Sequence, residues 1–273
     1  MTESARRRRP DRRGYAAVLK QLSTSHPTAV KFLREAESNR AQRLKRWLSG
    51  LRLRGYEELL SHLPEVEAVY RRNKRLRSIA FLIRRAHDDF VTALEATLSG
   101  FHSVAYDAMR DVMEIEFLLR DFYHQPGSIE RWLAATPKQR NDSFRPAVLR
   151  QRHAQRIGKL PQEMPEARDY RGHSSVLHVT PDTGPFSPRG LASDDPFLAD
   201  SCFWEIFEHG RRLLFAIHRV RRKVAPHLRS PWGPERGLRR FREAWRATQE
   251  FQALFWALLD AAAEESPDSR DDA

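Results

Sequence analysis

Cysteine is almost missing from this chain: 273 residues hold one, Cys202. A single thiol cannot close an internal disulfide or build a thiolate zinc site, and a cytoplasmic location in a reducing compartment is expected. Long hydrophobic runs are missing too. No apolar stretch reaches the ~18 residues of a membrane-spanning helix, so no membrane partner is expected. The arginine-rich start, MTESARRRRPDRRGY, has no apolar stretch behind it and does not read as a secretory signal. Strand signals are nearly absent, because no alternating apolar run is bounded by Asn-Gly or Asp-Gly turns. There is no Gly-x-Gly-x-x-Gly, no P-loop and no repeat of fixed period. Eleven histidines invite a metal, yet neither His-Glu-x-x-His nor Glu-x-x-His occurs, so no metal and no other cofactor is expected. His87-Asp88-Asp89 reads as the solvated edge of a helix.

Positive charge is abundant. The formal net charge is +12, and all but seven of the 48 basic residues are arginine. Such a balance suits a polyanion partner such as RNA, and it equally suits the solvated faces of helices. Arg71, Arg72, Arg75, Arg150 and Arg152 are the candidate nucleic-acid contacts, on basic segments interleaved with Tyr70, Phe144 and Trp245.

Helical periodicity fills most of the chain. Residues 1–13 read as a disordered basic arm and 14–63 as an N-terminal helical extension. Residues 64–264 read as the main bundle and 265–273 as a disordered acidic tail. In the extension, the helix from Pro27 shows Val30, Phe32, Leu33, Leu44, Trp47, Leu48 and Leu51 as its apolar positions. Pro64 is expected to open the longest helix, running to the Leu98-Ser99-Gly100 stop. The next helix, about 101–124, carries a stripe of Ala105, Ala108, Val112, Ile115, Leu119 and Phe122, with Met113 and Phe117 on the other side, so both faces are expected to be buried. Ser128 is expected to cap a short helix, and residues 136–142 read as a loop. A basic helix follows at 144–157, a loop at 180–195, a long helix from Asp195-Pro196 to Pro226, and a last helix at 236–264. The expected fold is all-α: an antiparallel multi-helix bundle around one long central helix pair.

One constellation carries chemistry. Arg110 and Glu114 stand four apart on the central helix, on the side that also bears Met113 and Phe117. A buried ion pair needs polar neighbours. The segment ARDYRGHSSVLHV offers Tyr170, Arg171, Ser174 and His178 on one side of a helix. Two readings stand open. The cluster satisfies a buried ion pair and sets helix register, or His178 moves a proton while Arg171 holds a phosphate.

SVAYDAMRDVMEIEFLLRDFY, followed by YRGHSSVLH, resembles an uncharacterised bacterial family of all-helical proteins. Its members pair Arg-x-x-x-Glu on one helix with Tyr-x-x-x-Ser-x-x-x-His on a later one. Across residues 65–180 that pattern is distantly similar to the HEPN superfamily, whose signature is an arginine, four to six residues, then a histidine. Arg171 and His178 match at the outer limit of that spacing, and Gly172 departs from the polar residue usual after the arginine. Arg222 and His227 also satisfy the spacing. The resemblance implies a helical, often dimeric, metal-independent ribonuclease of bacterial defence or toxin systems. Arg110, Glu114, Tyr170, Arg171, Ser174 and His178 would form its catalytic set. The alternative is a non-catalytic helical module that binds a protein or nucleic acid.

Overall fold

The computed structural model describes residues 12–164, 166, 169–170, 196–228 and 238–249. Ten α-helices occupy them: α1 Arg12–Ser25, α2 Pro27–Trp47, α3 Leu51–Arg71, α4 Ala80–Ser99, α5 His102–His124, α6 Ser128–Ala134, α7 Pro137–Phe144, α8 Pro146–Arg156, α9 Pro196–Val224 and α10 Arg239–Ala247. Among the described residues there is no strand, and no helix is long and apolar enough to cross a membrane. The arm before residue 12, the 180–195 segment and the chain beyond 249 lie outside the described residues.

The core is built around α5. Val112, Met113, Leu119 and Phe122 are fully buried on different sides of it, as expected of a helix enclosed by neighbours. On one side α4 packs antiparallel. Its chain reversal rests on Gly100, whose φ of 90° is left-handed and whose N–H meets the last carbonyls of α4. On the other side α9 lies parallel to α5, not antiparallel. Tyr106 bonds Ser201, Glu116 faces His209, and the Arg219 guanidinium sits 4.5 Å over the Tyr123 ring. The parallel pairing is possible because α6, α7 and α8 intervene in sequence between the two helices. Antiparallel α3 closes the far side of α4, with Tyr56 donating to the Phe90 carbonyl, and α10 lies across α3.

Four local expectations change. The long helix foreseen from Pro64 is two helices. Pro64 lies inside α3, and the chain breaks after Arg72 because Asn73 Oδ1 accepts from the backbone N–H of Arg75 at 2.9 Å and Leu76 at 3.2 Å. That turn drives Leu76 and Ile79 fully into the core. The boundary placed near residue 63 falls mid-helix, and residues on both sides share one core. Residues 137–144 are helical. Thr136 Oγ1 accepts from Gln139 N–H while Gln139 reaches back to Thr136 N–H, a capping box with Pro137 at the first helical position. Ser128, by contrast, is the first residue of α6, is fully buried and makes no cap.

The apolar face of α2 is also different. Val30 and Trp47 are buried, but Phe32 and Leu33 are 44% and 45% exposed, and Leu44, Leu48 and Leu51 are exposed as well. The face toward the core carries Arg43 instead, fully inside, donating to the Leu98 carbonyl at 2.9 Å and so satisfying the end of α4.

Candidate functional site

The chain following α8 returns to α5, and two adjacent side chains there point to different partners. Tyr170 reaches the Arg110–Glu114 pair. Its hydroxyl accepts from Arg110 Nε at 3.2 Å and Nη2 at 3.0 Å, and donates to Glu114 Oε1 at 3.3 Å. Arg110 and Glu114 are 3.7 Å apart and both half-buried, as their helical spacing and apolar neighbours required. A second guanidinium, Arg150 from α8, stacks 4.2 Å from the centre of the Tyr170 ring. Burial, the largest influence, holds the Glu114 carboxyl above its ordinary range against the opposing pull of Arg110 and Tyr170. The hydrogen bond to Tyr170 and then the nearby carboxylates keep Arg110 firmly charged.

Beside this triangle, an open cleft of about 420 Å³ lies between α4 and α5. Its carboxyls are Asp89, Asp107, Asp111 and Glu114, set against Arg85 and Arg110. Arg85 grips Asp111 with two bonds of 2.5 Å. Asp89 is not the solvated edge expected of it. It is half-buried, and desolvation followed by the hydrogen bond and charge of Asp111 pushes its carboxyl up to about 8.

Asp169, one residue earlier, turns into the interior. Its Oδ2 accepts from Arg212 Nη1 at 2.8 Å and lies 3.8 Å from His209 Nε2. His209 Nε2 is 2.8 Å from Glu205 Oε2, and its Nδ1 is 4.0 Å from Glu116 Oε2. Glu116 Oε1 is 2.7 Å from Arg120, which also binds Glu166 at 2.7 Å. Arg212 completes the group by bonding Glu208. His209 and Glu116 are fully buried, and Asp169 and Glu205 nearly so. Burial is the largest influence on His209 and pushes it down, but Asp169, Glu116 and Glu205 together overcome it and raise it to about 10. Neither a His-Glu-x-x-His nor a Glu-x-x-His spacing describes this group. Glu205 and His209 are four apart on α9, and Asp169 joins only through the fold. The legible signal is Glu205-Ile-Phe-Glu208-His209, where charged residues interrupt the apolar run Cys202-Phe203-Trp204 and Ile206-Phe207.

Of the proposed catalytic set, Arg110, Glu114 and Tyr170 come together, while Arg171, Ser174 and His178 lie outside the described residues. The nucleic-acid candidates separate into two groups. Arg71, Arg72 and Arg75 are exposed around the α3–α4 turn, where Arg71 shares the buried Glu67 with Arg84. Arg150 and Arg152 instead face inward. Arg150 covers Tyr170, and Arg152 joins Arg156 on buried Asp121 and reaches the Ser143 carbonyl. Cys202 is inert core, its thiol pushed up to about 12 by burial. No family model, curated protein or solved structure matches the chain.

Proposed function

We propose that this protein acts on RNA as a metal-independent endoribonuclease of a bacterial defence or toxin type. The observation that carries the reading is the Tyr170 hydroxyl, bonded to both Arg110 and Glu114. It holds against α5 the chain that leads, one residue on, into Arg171. In this reading Arg110 and Glu114 are positioning residues. His178 takes the proton of a ribose 2′-hydroxyl, whose oxygen attacks the adjacent phosphorus. Arg171 balances the charge growing on the phosphoryl oxygens, and the P–O5′ bond breaks as solvent water protonates the leaving 5′-oxygen. No metal ion is needed at the reacting phosphate. The exposed Arg72 and Arg75 and the net charge of +12 favour a polyanion partner.

The test is end-labelled RNA incubated with the full-length protein, beside the same strand carrying 2′-deoxyribose. Cleavage of the first alone, leaving 2′,3′-cyclic phosphate ends, is expected. His178→Ala abolishes it and leaves the melting temperature unchanged. A wild-type protein that cuts nothing, with His178→Ala costing about 1–3 kcal/mol of stability, refutes the enzyme. It leaves the second reading, a non-catalytic helical binding module. What favours that reading is that Arg150 and Arg152 face inward, Arg150 on the Tyr170 ring and Arg152 on buried Asp121.

A further inference from the structure

The Asp169–Glu205–His209 group has the features of a ligand set, and it stands apart from the Tyr170 triangle. One nitrogen and two carboxylate oxygens converge within 4.8 Å of one another, from two elements far apart in sequence. All three side chains are at most 4% exposed. Glu205 and His209 share one face of α9. A second observation comes from α5. Glu116 is fully buried, and its Oε2 has no hydrogen-bond partner among the described residues, although it faces His209 Nδ1 from 4.0 Å. A carboxylate behind Nδ1 is the arrangement that fixes the tautomer of a metal-ligating histidine and turns its Nε2 toward the ion. Arg212 orients the Asp169 carboxylate, bonding at 2.8 Å the same Oδ2 that faces His209.

The spacing suits a small cation. Bonds of about 2.0–2.2 Å in a tetrahedral site place ligand atoms roughly 3.3–3.6 Å apart. The Nε2 of His209 is 2.8 Å from Glu205 Oε2 and 3.8 Å from Asp169 Oδ2, so each needs to move by about half an ångström. An imidazole with two carboxylates fits zinc, manganese or iron(II), whereas calcium requires six to eight oxygens.

We propose that Asp169, Glu205 and His209 bind one first-row divalent cation, with Glu116 positioning the imidazole, and that the ion clamps the Asp169–Tyr170 segment to α9. Binding replaces the proton on His209 Nε2, so the cation enters and one proton leaves to solvent, while Nδ1–H stays toward Glu116. The ion is structural and touches no residue of the Tyr170 triangle. The inference goes beyond the RNA reading and does not rest on it.

The test uses full-length protein freed of metal by chelator and dialysed, titrated separately with Zn²⁺, Mn²⁺ and Co²⁺. One ion per chain, one proton released per ion, and a melting temperature that climbs with cation concentration are expected. Glu205→Gln and Asp169→Asn, each checked for native circular dichroism, should weaken binding at least 100-fold. Glu116→Gln should weaken it about 10–100-fold as an outer partner. Wild-type protein that takes up no ion from any of the three titrations overturns the proposal and leaves a buried ion-pair network. Uptake undiminished in folded Glu205→Gln and Asp169→Asn overturns it too. If both variants fail to fold, the Co²⁺ absorption spectrum of the wild type decides. Intense tetrahedral bands support the site, and the weak spectrum of the hydrated ion refutes it.

Discussion

Gly55 sits where α10 crosses α3, and replacing it with alanine tests how tightly that crossing is packed. A Cβ at position 55 would lie 2.4 Å from the Ala244 Cβ, 3.0 Å from the Arg240 carbonyl oxygen and 3.2 Å from a Phe207 ring carbon. Carbon atoms in contact settle at about 3.5–4.0 Å, so α10 would have to retreat by more than ~1 Å. That retreat loosens Phe241, which is buried and whose N–H binds Glu58 Oε2 at 2.7 Å. Overpacking of this kind costs about 1–3 kcal/mol. The opposing gain, alanine over glycine inside a helix, is about 1 kcal/mol. The net expectation is a loss of up to about 2 kcal/mol, or up to about 8 °C in melting temperature for a chain of this size. Circular-dichroism melts of Gly55→Ala, Ala244→Gly and the double variant measure it. The double variant removes the 2.4 Å contact, though not the approaches to Arg240 and Phe207, and should show a favourable coupling of about 1 kcal/mol. Gly127→Ala, where an added Cβ meets nothing within 4 Å, is the control. A Gly55→Ala protein that melts higher than the wild type, with no coupling to Ala244→Gly, refutes the packing argument.

Three further outcomes follow from the contacts. Tyr170→Phe removes a hydroxyl that serves Arg110 and Glu114 together and should lower stability by about 1–2 kcal/mol in the same melts. The basic side chains should divide by location. Arg72→Ala with Arg75→Ala should leave the melting temperature unchanged and reduce the salt slope of RNA binding by about 1–2. Arg152→Ala, which strips a partner from buried Asp121, should instead lower the melting temperature. Acid should destabilise the α3–α9 contact at His62 and His218, whose rings lie 5.8 Å apart. Burial, then the neighbouring charges, depress both imidazoles to about 4. The unfolded chain therefore binds more protons between its ordinary value near 6.5 and about 4, and stability falls as pH drops through that window. For buried His62 the full shift corresponds to about 3 kcal/mol. Half-exposed His218 contributes less. Urea titrations from pH 7 to 4 should show the loss, and His218→Gln should reduce it.

Much of the fold was legible because it is written in local chemistry. Gly100 and Pro126-Gly127 stop helices wherever they stand, and the apolar residues of α5 recur on every side at helical spacing. The capping box at Thr136 and Gln139 was equally local, and reading residues 136–142 as a loop missed it. The turn at Asn73 was harder to see, because a single side-chain amide there competes with an otherwise continuous apolar period. Within the site, the Arg110–Glu114 pair and its meeting with Tyr170 could be anticipated. A half-buried ion pair on one helix requires polar partners, and few segments offer them.

By its own periodicity and punctuation, then, the sequence determined an all-helical bundle with α5 enclosed, together with one pair of charges in need of company. Only the tertiary structure decided that α5 and α9 run side by side in the same direction. That alignment brings Glu116, Asp169, Glu205 and His209 together, while the packing of α8 against α5 turns Arg150 and Arg152 inward. The reason is physical. Spacing along a helix fixes which residues share a face. The face a helix meets depends on the packing of all its neighbours, and no short window of sequence contains that information.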